Sequence, residues 1–113
     1  MLKREFRLRQ KSEFRTVFAQ GKSFPGKYVV VYVTSGACKY AFVASKKVGK
    51  AVERNRAKRL MREVIRLHMP LLNKNYQVIA IARPSIKGKS YQDVESSLLQ
   101  LLQRAKVFRA KQS

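Results

Sequence analysis

The sequence has few acidic residues and many basic ones. Among 113 residues, six Asp and Glu stand against 26 Lys and Arg, which gives a formal net charge of +20. The carboxylates fall in separate segments, at Glu5, Glu13, Glu53, Glu63, Asp93 and Glu95. A metal-dependent nuclease needs several carboxylates that converge on its ions. A self-contained active site of that kind is therefore not expected, whereas a polyanionic partner is.

Other residues that carry chemistry are also scarce. Cys38 is the only cysteine, which excludes an internal disulfide and a zinc site built from several cysteines. His68 is the only histidine, and metal-free RNA cleavage by acid–base catalysis would need a second histidine or its equivalent. Gly49 and Gly88 are isolated, so no glycine-rich phosphate loop is present. We expect no cofactor bound by the protein itself, and we interpret His68 as a core or helix-end residue.

Long apolar runs are missing as well. The first 14 residues, MLKREFRLRQKSEF, lack the apolar stretch of a signal peptide, and no later segment reaches the length of a membrane span. We therefore expect a cytoplasmic protein with no membrane partner. Apolar residues make up 45% of the chain, enough for one ordinary core. The interpretation is one domain over residues 1–113, with frayed basic ends at about 1–8 and 108–113.

What the chain does have is a strongly basic amphipathic segment. Residues 46–66 hold nine Lys or Arg against Glu53 and Glu63. Apolar side chains recur there at helical spacing and predict an inward face made of Ala57, Leu60, Met61, Val64, Ile65 and His68. The opposite, cationic face holds Asn55, Lys58, Arg59, Arg62 and Arg66.

The charges of the cationic face oppose one another and the helix dipole. Arg54/Lys58, Lys58/Arg62 and Arg62/Arg66 are like-charge pairs one helical turn apart, and each opposes folding by roughly 0.2–0.5 kcal/mol. Arg54 and Arg56 also lie near the positive end of the helix dipole. A bound phosphate would relieve both faults, because it pairs with guanidinium groups and with free backbone N–H groups. An RNA-binding face explains the pattern better than a solvated face, which would mix charges of both signs.

The remaining segments predict alternating helices and strands. In order, they are a helix capped by Ser12 and ended by Gly21, strands at 27–34 and 39–45, the basic helix after Gly49 and before Pro70, a strand at 76–82, and a helix capped by Ser90. Ser35-Gly36 between the first two strands predicts an antiparallel hairpin. The fold class is therefore α+β, a single-domain sandwich of order α-β-β-α-β-α.

Aromatic residues form a second informative set. Phe14 and Phe18 share one face of the first helix, and strand alternation predicts Tyr28 and Tyr32 on one side of the first strand. If that helix lies along the tyrosine side, the result is an aromatic cleft in a cationic surface, where unstacked bases bind. Spacing alone favours the other interpretation, in which both phenylalanines are buried. Tyr32 stays open between the two, because its hydroxyl prefers a wet edge.

Residues 45–59, SKKVGKAVERNRAKR, resemble the Arg-Asn-Arg signature of the bacterial ribonuclease P protein component. The resemblance extends upstream to residues 14–18 (FRTVF) and Gly21, and downstream to Arg83-Pro84 and Tyr91. Chain length and element order agree with the family. Glu53, immediately before the signature, is not required by the family pattern.

The resemblance implies a protein subunit of a ribonucleoprotein endoribonuclease that removes the 5′ leader from precursor tRNA. It also implies that the cleavage chemistry and the required Mg²⁺ belong to the RNA subunit. The family fold, ribosomal protein S5 domain 2-like, joins its parallel strands by a left-handed βαβ crossover. This hand rests on the resemblance alone, because roughly 98% of such connections are right-handed.

Two sets of site residues follow from the resemblance. The set matched to the RNA subunit is Arg54, Asn55, Arg56, Lys58, Arg59, Arg62 and Arg66. The set matched to the leader-binding cleft is Phe14, Phe18, Tyr32, Ser45, Lys46 and Lys47. The expected partners are thus the RNA subunit, the precursor tRNA leader, and simple anions such as phosphate or sulfate. A ribosomal or general RNA-chaperone protein, and a stand-alone nuclease, are the alternative classes.

Overall fold

A four-stranded sheet lies between two layers of helices. The computed structural model describes residues 2–109. Its helices are α1 (Lys11–Gln20), α2 (Ala51–His68) and α3 (Tyr91–Arg104), and its strands are β1 (Lys22–Pro25), β2 (Val29–Ser35), β3 (Lys39–Val43) and β4 (Tyr76–Ala82). Short 3-10 turns lie at Arg4–Phe6, Lys46–Val48, Met69–Leu71 and Pro84–Ile86. The predicted α+β class and element order are confirmed, with β1 as an additional strand.

The strand order is β1-β2-β4-β3. The predicted strands at 27–34 and 39–45 are β2 and β3, and the prediction that they form a hairpin is wrong. β4 lies between them, antiparallel to β2 and parallel to β3. The physical reason is that β4 is apolar on both faces, and such a strand gains most in the centre of a sheet. β2 forms its hairpin with β1 instead, where the Gly26 N–H donates to the Val29 carbonyl oxygen at 2.9 Å. The parallel β3-α2-β4 unit is the predicted crossover connection, and its left hand stays a prediction.

The two faces of the sheet carry different cores. α2 and α3 cover one face, where buried residues include Val29, Val31, Val33, Met61, Ile65, Val78, Leu98 and Leu102. α1 covers the other face over a smaller cluster of Leu8, Val17, Ala41 and Ile79. The predicted inward face of the basic helix is confirmed, because Ala57, Met61, Val64 and Ile65 are buried and Leu60 and His68 are half-buried.

The start of α1 differs from the prediction. Ser12 is not the cap, because the helix begins at Lys11 and Gln10 precedes it. The Glu13 carboxylate accepts the backbone N–H groups of Gln10 at 3.1 Å and Arg9 at 3.2 Å. It also accepts a hydrogen bond from Lys39 Nζ at 2.8 Å, which ties α1 to β3. These bonds, led by that from Lys39, lower the pKa of Glu13 to about 2. The predicted Ser90 cap of α3 is confirmed, with its Oγ accepting from the Asp93 N–H at 3.2 Å.

The N-terminal segment is docked, so the prediction of a frayed end is wrong for residues 2–8. Leu2 is 2% exposed and Leu8 is 5% exposed. The Leu8 N–H donates to the Tyr40 carbonyl oxygen at 2.9 Å, which attaches the segment beside the edge strand β3. At the other end, the Arg109 N–H bonds to the Leu71 carbonyl oxygen at 2.8 Å. The predicted frayed residues 110–113 lie outside the described part of the chain.

Candidate nucleic-acid interface

An aromatic cleft, made of Phe14, Phe18 and Tyr32, lies between α1 and the sheet. The rings of Phe18 and Tyr32 meet edge to face, with centroids 4.9 Å apart and planes at 76°. Phe14 and Tyr32 are half-buried against the smaller core, whereas Phe18 is 43% exposed. The prediction that α1 lies along the Tyr32 side is therefore confirmed. An exposed aromatic ring in so basic a chain is a surface on which an unstacked base can bind.

Tyr28 does not join this cleft, and the prediction that it shares the side of Tyr32 is wrong. It packs against the larger core, with the ammonium groups of Lys27 and Lys89 at 5.5 and 5.6 Å from its ring centroid. The reason is that β2 begins only at Val29, so strand alternation does not reach Tyr28.

The other residues matched to the leader lie at the carboxyl end of β3. Val43 packs into the smaller core on the α1 side, and the chain reaches Ser45 two residues later. Ser45 Oγ accepts the Lys47 N–H at 3.3 Å and so begins a short 3-10 turn. Lys46 and Lys47 are exposed. The structure thus places two cations just beyond the end of β3, a strand that packs against the α1 layer.

The residues matched to the RNA subunit differ in their surroundings along α2. Asn55, Arg56 and Arg59 are exposed to solvent, and Lys58 is half-exposed. Arg54 turns back, and its Nη1 donates to the Gly49 carbonyl oxygen at 3.2 Å. The cationic face therefore has an open middle and a first turn that is tied to the preceding loop.

The far end of the cationic face is partly compensated. The Arg62 guanidinium lies over the Phe42 ring, 5.7 Å from its centroid. Arg66 pairs with Glu63, and its Nε donates to Glu63 Oε1 at 3.0 Å. This pair raises the pKa of Arg66 and lowers that of Glu63. Arg66 was predicted as one of the RNA-facing cations, and in the structure it has an anion of its own.

Glu53 changes the prediction of an unsatisfied first turn. Its carboxylate pairs with Lys87 Nζ at 3.0 Å and accepts the Lys50 N–H at 3.2 Å, and both bonds lower its pKa. Gly49 makes this possible, because its φ is +145° and an added Cβ would lie 2.8 Å from the Glu53 carboxyl carbon. An anion therefore already occupies the positive end of the α2 dipole. The sequence pattern did not predict this role, because it depends on Glu53 being the third residue of the helix, where an acidic side chain can bond back to the cap.

His68 is confirmed as a helix-end residue. Its Nδ1 lies 2.8 Å from the Val64 carbonyl oxygen, and its Nε2 lies 3.8 Å from Glu95 Oε2. The Tyr91 hydroxyl donates to the same carboxylate at 3.1 Å, and burial raises the pKa of Tyr91 to about 12. This polar cluster joins α2 to α3. Within residues 2–109, no three His, Cys, Asp or Glu side chains come together as a metal site would require.

No helix of the described residues combines the length and the apolarity needed to cross a membrane. The family described as Ribonuclease P matches residues 2–106. The ribonuclease P protein component of Clostridium botulinum is 38% identical over 109 residues, covering 93% of this chain and 98% of that protein.

Solved structures agree with the sequence match. The RNase P protein from Staphylococcus aureus aligns with a TM-score of 0.83 at 29% identity and covers 100% of this chain and 99% of that one. The RNase P protein from Thermotoga maritima aligns with a TM-score of 0.76 at 31% identity, covering 87% and 96%. A match that includes the aromatic cleft, the basic helix and the whole sheet shows that the chain belongs to the ribonuclease P protein component family.

Proposed function

We propose that this chain binds both the RNA subunit of ribonuclease P and the 5′ leader of precursor tRNA, and so promotes removal of the leader in the cytoplasm. Membership of the family supports its place as a subunit of a tRNA-processing endoribonuclease. The proposal of a leader site rests on one observation. The exposed Phe18 ring of α1 meets the Tyr32 ring edge to face on the surface of a strongly basic chain. Such a surface suits single-stranded RNA better than a duplex.

The aromatic cleft with Ser45, Lys46 and Lys47 is the proposed leader site. Stacking one base on an aromatic side chain contributes about 1–3 kcal/mol, and lysines neutralise the backbone that joins the bases. Mature tRNA lacks the extended strand, so this energy is available only to the precursor. The same contact would therefore favour substrate binding and product release.

The cationic face of α2 is the proposed contact with the RNA subunit. Asn55, Arg56 and Arg59 are exposed and can meet phosphates without losing an internal partner. Arg54 and Arg62 keep intramolecular contacts that orient their guanidinium groups, with the Gly49 carbonyl oxygen and the Phe42 ring respectively. Lys58 and Arg66 complete the set, and Arg66 would share its charge between Glu63 and RNA.

Catalysis is assigned to the RNA subunit, together with the Mg²⁺ that this RNA needs. The carboxylates of the protein are spread along the N-terminal 3-10 turn, α1, α2 and α3, and three of them take part in local ion pairs: Glu13 with Lys39, Glu53 with Lys87, and Glu63 with Arg66. Such carboxylates anchor helices and do not converge on a common point. The protein contributes binding, orientation and charge neutralisation.

The test is cleavage of a precursor tRNA at low Mg²⁺ by the RNA subunit alone, by this protein alone, and by the two together. We expect efficient leader removal only in the mixture. Cleavage by the protein alone would instead indicate a stand-alone nuclease. If the protein bound RNA but changed cleavage in no combination, a ribosomal or general RNA-chaperone role would replace the proposal.

A further inference from the structure

A cavity of about 280 Å³ opens between the first turns of α2 and the loop that joins β4 to α3. We call it the α2 pocket, and it is lined by Glu53, Arg56, Ala57, Ile86, Lys87 and Gly88. Of these six residues, Arg56 alone belongs to the set matched to the RNA subunit. The α2 pocket therefore continues the cationic face of α2 onto a second segment of the chain.

The floor of the α2 pocket is apolar and its rim carries cations. Ala57 and Ile86 are buried, whereas Arg56 and Lys87 are exposed. Gly88 leaves its side of the pocket open, because a Cβ added there would have no atom within 4 Å. Unstacked RNA bases bind with their flat faces against protein side chains, and cations neutralise the phosphates that join them. The shape and charge of the α2 pocket thus suit a single unpaired nucleotide.

One wall of the α2 pocket carries an anion, Glu53. Its carboxylate accepts a hydrogen bond from Lys87 Nζ at 3.0 Å and another from the Lys50 N–H at 3.2 Å. A carboxylate has about four acceptor positions, so these two bonds do not fill it. The side chain is 28% exposed, which leaves it open to a donor that enters the pocket. Because an ionised carboxylate only accepts, its partner on a bound nucleotide has to be an N–H or O–H group and not a phosphate oxygen.

Base edges supply such donors selectively. The exocyclic amino groups of adenine, cytosine and guanine donate hydrogen bonds, and acidic side chains accept them. Uracil has no amino group. A carboxylate at the wall of the α2 pocket therefore distinguishes bases, whereas the arginines and lysines around it contact phosphates of any sequence.

The carboxylate of Glu53 is held in place before any ligand arrives. The ion pair with Lys87 fastens it to the loop, and Gly49 makes room for it, because an added Cβ would lie 2.8 Å from its carboxyl carbon. A group that is already positioned loses little conformational entropy when it binds. Glu53 precedes the Arg-Asn-Arg signature and is not part of it, so the signature alone does not account for this wall of the pocket.

We infer that the α2 pocket binds one unpaired nucleobase of the RNA subunit, whose exocyclic amino group donates to Glu53 while an adjoining phosphate pairs with Arg56. The inference rests on the proposed function, since it needs the RNA subunit to contact α2. It adds a base-specific contact that accepts adenine, cytosine or guanine and discriminates against uracil. It also assigns an acidic residue a favourable part in binding a polyanion.

The experiment measures equilibrium binding of the RNA subunit to wild type and to Glu53→Gln. The glutamine oxygen can still accept the Lys50 N–H, so the start of α2 is kept. The matched control is Glu63→Gln, which removes the other carboxylate of the same helix, paired with Arg66. If charge alone mattered, both variants would bind the polyanion more tightly than wild type.

We expect Glu53→Gln to bind the RNA subunit about 5-fold more weakly, because a charge-assisted hydrogen bond is replaced by a neutral one. Glu63→Gln should bind as tightly as wild type or more tightly. Chemical probing at saturating protein gives a second readout, with dimethyl sulfate for adenine and cytosine and kethoxal for guanine. Wild type and Glu63→Gln should protect one unpaired base, and that base should regain its reactivity with Glu53→Gln.

Unchanged or tighter binding by Glu53→Gln would overturn the inference and leave the α2 contact with the RNA subunit intact. Weaker binding with an unchanged protection pattern would also overturn it, because Glu53 would then act through the start of the helix or a ribose hydroxyl. If the wild-type protein did not bind the RNA subunit, the proposed function itself would fail and the inference with it.

Discussion

The two faces of the sheet do different work. On the face covered by α2 and α3, residues such as Val29, Val31 and Leu98 are completely buried. On the face covered by the single helix α1, Phe18 remains 43% exposed and rests on Tyr32. One face is therefore the more completely buried, and the other keeps an aromatic ring exposed, where we propose that RNA binds.

Under the proposed function, this division lets a small, highly charged chain combine folding with RNA binding. The +20 net charge opposes the compact state, so the larger core has to stabilise it. Outside the core, a few carboxylates form ion pairs that hold elements together. Glu13 of α1 pairs with Lys39 of β3, and Glu53 of α2 pairs with Lys87. Substitutions can separate the two roles, because changes in the larger core should affect folding and changes among the exposed cations and aromatic residues should affect RNA binding.

The largest effect on folding should come from the larger core. Leu98→Ala removes a side chain that is 0% exposed, and we expect a loss of about 3 kcal/mol in the free energy of unfolding. Urea unfolding followed by circular dichroism measures it. Leu71→Ala, at a residue that is 58% exposed, is the control and should change little. A loss below about 1 kcal/mol for Leu98→Ala would contradict the assignment of stability to this face.

The cationic face of α2 should affect assembly and leave folding nearly unchanged. Arg56→Ala/Arg59→Ala should weaken binding of the RNA subunit by about 2 kcal/mol, or ~30-fold, and raise the Mg²⁺ needed for cleavage. Both residues are exposed, so the melting temperature should stay close to that of wild type. The control is Lys3→Ala/Arg4→Ala. Unchanged affinity together with an unchanged Mg²⁺ requirement would remove α2 from the interface.

A smaller effect should come from the ion pair that fastens α1. Because folding lowers the pKa of Glu13 from 4.5 to about 2, its contribution is fully present above about pH 4.5 and is lost as the pH falls towards 2. We expect Glu13→Gln to lower the free energy of unfolding by about 1 kcal/mol at pH 7 and by less at pH 3. Unfolding at the two pH values measures this. The exposed Glu5→Gln is the control, and a Glu13→Gln deficit that is the same at both pH values would refute the account.

The smallest effect should be that of simple anions. Sulfate or phosphate bound to the folded state stabilises it by about 0.4 kcal/mol when its free concentration equals its Kd. Thermal melts in sulfate and in chloride at equal ionic strength test this, with sulfate giving the higher melting temperature. The same melting temperature in both salts would mean general screening and no specific anion site.

Periodicity predicted the elements whose pattern is strong. The strand over 76–82 has the observed bounds, and the basic helix lies where its apolar repeat placed it, since both segments are buried by tertiary contacts that match their local pattern. β1 was missed because its four residues include Lys22 and Pro25 and show no strand pattern. Proline is tolerated there because β1 is an edge strand.

Pairing could not be read from the chain in the same way. The apolar strands compete for the central position, and that competition is decided by the whole sheet, so the hairpin suggested by Ser35-Gly36 does not form. Of the candidate site residues, Phe14, Phe18 and Tyr32 were predicted and are brought together. The ion pair of Glu53 with Lys87 was not predicted, because the two residues are distant in sequence and meet only through the crossover.

The most direct test of the central claim is the ratio of holoenzyme affinities for precursor and mature tRNA, in wild type and in Phe18→Ala. Loss of one stacked base should cost at least about 1 kcal/mol of binding free energy. We therefore predict that the affinity of the variant for the precursor falls about 5-fold or more. Its affinity for mature tRNA should be unchanged, as should both affinities of the exposed control Leu71→Ala. An equal loss for precursor and mature tRNA would contradict the assignment of the α1 face to the leader.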